Sequence, residues 1–203
     1  MKYPYLVVQI TEYANLIPLL NAKSTYNIFT DNKTHLKNAQ LPFFNNYCLL
    51  SAQTFSTIPP VTMSYLWNEQ NNDIIKLNGT RDAVFDNLDK LGLTLNQENI
   101  VPYVRFVLDN VWNDKGSLRL VEIMDEIEFS DKPSKSDLRF LERAIRPTIV
   151  TQTEEGFILD TIIIYGTEVY QSSIAVAKNG TFDIQSETEL INGMSCLRVI
   201  FLE

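Results

Sequence analysis

Histidine occurs once in the chain, at His35, within the polar stretch 30–38. A Ser-His-Asp or Cys-His set, or a histidine-bound metal, would have to use this one imidazole. Its neighbours read as an exposed loop. The seven glycines form no G-x-G-x-x-G turn, P-loop or G-x-S-x-G elbow, and each reads as turn or cap punctuation. No catalytic residue, metal ligand set or cofactor is therefore assigned, and enzymatic activity is the less favoured expectation.

Three constellations remain. Glu122, Asp125, Glu126 and Glu128 place four carboxylates within seven positions. Paired carboxylates suit acid–base work or a hard cation, but no glycine-containing calcium loop accompanies them, and a solvated strand edge and turn is the plainer reading. Arg139, Arg143 and Arg146 recur at i, i+4 and i+7, with Lys132 and Lys135 ahead of them. On a helix these arginines share a face, and guanidinium groups fork carboxylates and phosphates. The stripe reads as an anion or acidic-partner site, against the alternative of a solvated face suited to the helix dipole. Tyr103, Trp112, Tyr165 and Tyr170, with Glu168, come from a helix and from strands expected to face it. At a helix–sheet mouth they would orient a small molecule; otherwise they are core with wet phenol tips. Arg105 and Asp109 read as a surface i,i+4 pair.

The elements that must position these groups follow from periodicity. Alternation of Val61, Met63, Tyr65 and Trp67 gives a strand, turned at 69–73 and answered by 74–77. A strand over 47–55 precedes it. Thr80 and Gly92 bracket a helix on Val84, Leu88 and Leu91. Ile100, Val104, Val107, Leu108 and Val111 mark a second over about 98–113, started late so that Pro102 sits in its first turn. A strand from 117 ends near Met124. Ser134 and Asp137 cap a third helix that Pro147 stops at 146. Strands over 148–153, 157–165, 168–177, 181–186 and 196–202 complete a meander, with Asn179-Gly180 as a tight hairpin tolerating positive φ at both positions.

The expected fold class is therefore α+β: about three helices on one face of a curved antiparallel sheet, a C-terminal β-meander, and a hairpin-containing N-terminal part. Residues 1–203 read as one domain, with a possible subdivision into 1–78 and 79–203. A helix followed by a long meander is similar in element order to the cone-shaped cystatin-like and nuclear-transport-factor-like groups. That likeness rests on no motif and implies no function.

Composition narrows the function classes. Seventeen Lys and Arg against 25 Asp and Glu give a net charge of −8, which disfavours nucleic acid and anionic membranes. Residues 3–20 are too short and too polar for a membrane span. Cys48 and Cys196 stand far apart and read as free, buried thiols, and the cytoplasm is the default location. The favoured expectation is a soluble, non-catalytic binding or assembly protein acting through a protein partner or self-association. The alternative is a small-molecule-binding or enzymatic α+β cone.

Overall fold

The computed structural model describes residues 6–8, 15–113 and 116–194. The chain forms an α+β fold with two antiparallel sheets. Its internal contacts divide into two compact units, one built from residues up to Asn78 together with Asp89–Gly92, the other from Gly79–Leu88 and from Leu93 onward.

The first unit is a meander in the order β1-β2-β3-β4-β5: Leu6–Val8, Thr34–Gln40, Cys48–Thr54, Val61–Asn68 and Asp73–Lys76. Helix α1 (Leu16–Ala22) buries Leu16, Ile17 and Leu20 in a cluster with Leu36, Leu50, Ala52, Tyr65 and Trp67. Pro18 falls in its first turn, where no intrahelical N–H is lost. His35 lies on β2, not in a loop. Thr34 and Leu36 point inward while His35 and Lys37 point out, an alternation that small and polar residues disguise in the sequence. Asn72, at φ 57, closes the β4–β5 hairpin, a conformation asparagine tolerates.

The second unit contains α2 (Asp82–Phe85), α4 (Ile100–Asp109), α5 (Lys135–Ala144), and strands β6 (Trp112–Asn113), β7 (Gly116–Val121), β8 (Ile149–Gln152), β9 (Gly156–Tyr165), β10 (Glu168–Ala177) and β11 (Phe182–Ile191). The helix expected over 80–92 is broken into α2 and α3 (Leu88–Leu91). Between them the Asn87 amide donates to the Ala83 carbonyl at 3.1 Å, a local bond that competes with helix continuation. Helix α4 starts at Asn99, as Pro102 requires, but ends at Asp109. Trp112 leaves it for β6 and lies against Gly79, whose φ of 85 and missing side chain make room for the indole. Ser134 caps α5 by accepting the Asp137 N–H at 3.0 Å. At the β10–β11 turn only Gly180 has positive φ, 93. The loop is thus a longer one with a left-handed glycine, not a two-residue turn. The strand expected over 196–202 lies outside the described residues.

Strand β9 is tiled on one edge by two short strands. β7 pairs Val121 with Ile162, and β8 resumes with Ile149 opposite Asp160 in the same antiparallel sense. Only Thr161 lies between, and its hydroxyl meets that of Thr148 at 2.9 Å. In register terms β7 and β8 are one strand interrupted by residues 122–147. That excursion carries α5.

Ile162, Ile163 and Ile164 are consecutive and all buried. Side chains alternate along a strand, so both faces of this sheet must be covered. Leu141 of α5 packs with Val121, Ile162, Ile164 and Val169 on one face. Tyr103 of α4 meets Phe182 edge-on, with centroids 6.3 Å apart. Phe182 shares the Ile163 face, through its pairing with Val176 and thence Phe157. The sequence reading set the helices against a single face; the isoleucine run is the pattern that demands two.

Candidate functional site

The aromatic set divides. The Tyr103 hydroxyl is buried and donates to the Gly180 carbonyl at 2.7 Å, fastening α4 to the β10–β11 turn. Glu168 sits at the opposite end of β10, about 30 Å away by strand rise. There Tyr165 stands directly across from Glu168, and the Tyr170 hydroxyl donates to the Glu168 carboxylate at 2.7 Å. That bond, more than burial, pushes the Tyr170 phenol up to about 12. Tyr165, Glu168 and Tyr170 therefore form one half-buried group, which Tyr103 does not join.

The carboxylate cluster also divides, and part of it turns inward. Arg105 is not on a polar helix surface: it is buried, and its guanidinium forks Glu122 at 2.8 Å and Glu126 at 2.7 Å. Glu126 in turn accepts the Glu122 backbone N–H, and Glu122 accepts the Thr148 N–H at 2.9 Å. These bonds span the break between β7 and β8, so the node's visible work is to seal the interrupted strand. Burial alone would raise the Glu126 carboxyl; the Glu122 N–H and, less strongly, Arg105 are among the groups that lower it, to about 2. Asp109, one turn after Arg105 on α4, is pushed up to about 6 by burial, with Arg105 opposing.

Helix α5 presents the other cations. Lys132, Lys135, Arg139, Arg143 and Arg146 are all exposed. Arg139 and Arg143 make no ion pair among the described residues. The helix ends at Ala144 and Ile145 is extended, so Arg146 continues on non-helical chain and does not share the helix face. Phe140, which the sequence reading passed over, is 43% exposed beside them. Ile149 and Ile123 are also exposed, on segments joined by the Glu122–Thr148 bond. Arginine and aromatic residues together are the composition enriched in protein interfaces.

Concave surface occurs elsewhere. A groove of about 550 Å³ crosses the hairpin end of β9, β10 and β11. Among its lining residues, Ile158, Ala175 and Asp183 stand in one cross-strand row on the same face, with Glu154 and Glu155 at the β8–β9 turn beside them. A shallower hollow of about 230 Å³ lies over His35, Lys37, Ser51, Gln53 and Thr62. Cys48 is buried, and burial pushes its thiol up to about 11, out of the range of a reactive thiolate. None of Tyr103, Trp112, Tyr165, Glu168 and Tyr170 lines the groove or this hollow. Set against models of known protein families, curated proteins and solved structures, the chain matches none of them.

Proposed function

We propose that this is a non-catalytic binding or assembly protein, and that the α5 face is where it engages an acidic surface on a protein partner. One observation carries the reading. The strands would keep their register without residues 122–147, yet the chain leaves the ladder there to present Arg139 and Arg143, unpaired among the described residues, beside exposed Phe140. In a protein with eight more acidic than basic side chains, two neighbouring arginines without a carboxylate are conspicuous. A surface excursion that the strand ladder itself does not need is where binding residues concentrate.

The test is a tagged full-length chain recovered from its own host beside an R139E/R143E variant. Both side chains are exposed, so the variant keeps its fold and melting temperature. A co-purifying acidic protein that is retained by the wild type and lost by the variant supports the reading. Equal recovery by both counts against it.

A further inference from the structure

The geometry points to a second copy of this chain as the occupant: the α5 face of one molecule docks into the β9–β10–β11 groove of the next. This rests on the α5 reading above and supplies its partner. The chemistry of the two surfaces is reciprocal. At the groove lip, Asp183 is already held by Arg81 at 2.7 Å, while Glu154 and Glu155 are exposed and make no ion pair among the described residues. These two carboxylates thus stand beside the half-buried pair Ile158 and Ala175, which face each other across β9 and β10 on the open side of the sheet. On α5, the guanidinium groups of Arg139 and Arg143, unpaired among the described residues, stand on either side of Phe140 in sequence. Phenylalanine on the Ile158 and Ala175 pair, with an arginine to each glutamate, matches charge to charge and apolar surface to apolar surface. A hollow of about 550 Å³ is large enough for one aromatic ring and the arginine stems beside it.

The net charge of −8 on each copy opposes approach at long range. At physiological salt the screening length is about 8 Å, so contacting pairs outweigh the distant monopole. Because helix face and groove are different surfaces of one chain, each copy carries both halves of the contact, which can be made twice in a two-fold pair or repeated head-to-tail.

The experiment is sedimentation velocity on the full chain over a concentration series, using wild type, R139E/R143E and E154K/E155K. Wild type is expected to associate increasingly with concentration, and each variant alone to weaken association by about tenfold or more. An equimolar mixture of the two variants is expected to regain it, since the swapped charges again match across both contacts. A monomeric wild type overturns the inference, as does a mixture that stays monomeric. If wild type is monomeric and R139E/R143E still loses an acidic partner from its host, self-docking fails and the α5 reading stands. If neither effect appears, both fail.

Discussion

Asp109 and Glu126 lie within one polar cluster and titrate in opposite directions. Asp109 has a folded pKa of about 6 against an ordinary 3.8. The native state keeps a proton that the unfolded chain has released, so stability falls as pH rises between these values. Glu126, at about 2 against 4.5, contributes stability above 4.5 that is lost as pH falls through its folded value. D109N is therefore expected to raise the melting temperature at pH 7 and to match wild type near pH 4. E126Q is expected to lower it at pH 7, with the difference shrinking toward pH 2. Differential scanning calorimetry across pH checks both signs. Arg105→Ala leaves two partly buried carboxylates without their cation and is expected to cost on the order of 3 kcal/mol in urea denaturation. None of this was open to sequence reading. An arginine four positions before an aspartate looks the same on a wet helix face as on a buried one, and only the packing of β7 against α4 distinguishes them.

Among elements, the sheet edges decide how the second unit meets its surroundings. β11 is ten residues long and has no neighbour except β10 among the described residues. Glu187 and Glu189 stand exposed along it, and its pairing with β10 shifts register twice. Charge and bulges on an outer strand discourage further strand addition. E187V/E189V is accordingly expected to aggregate on mild heating where wild type stays clear, as read by light scattering. Within the sheet, a Cβ on Gly156 would run into the Val176 carbonyl, which is backbone and cannot step aside. G156A is expected to cost several kcal/mol, about what a core cavity costs, measured by equilibrium unfolding. Elements fixed by local signals were legible: the alternation of β4, the Ser134 cap of α5, the delayed start that Pro102 imposes on α4. Those fixed by distant pairing were not. β2 looks like a polar loop until β1 and β3 flank it, and β7 and β8 look like separate strands until β9 aligns them.

For the molecule as a whole, each unit holds one of the two tryptophans. Trp67 is fully buried in the first unit's core, and Trp112 lies half-buried against Gly79 in the second. W112F and W67F therefore leave one emission reporter in each unit. The two urea transitions are expected to have different midpoints, because each reporter sits in a different compact unit; coincident curves would show one cooperative body. No helix among the described residues is long and apolar enough to cross a membrane.

The end-to-end meeting of β7 and β8 along β9 has an evolutionary corollary. A chain in which Val121 ran straight into Thr148 would preserve the ladder unchanged, with Thr148 opposite Thr161. Whatever sits between those two residues can lengthen, shrink or be exchanged without re-threading the scaffold, provided the newcomer still covers Ile162 and Ile164 and answers Arg105. Sequence can then diversify at this one splice point while the strands around it stay the same, which makes it the place to graft a foreign segment into the scaffold.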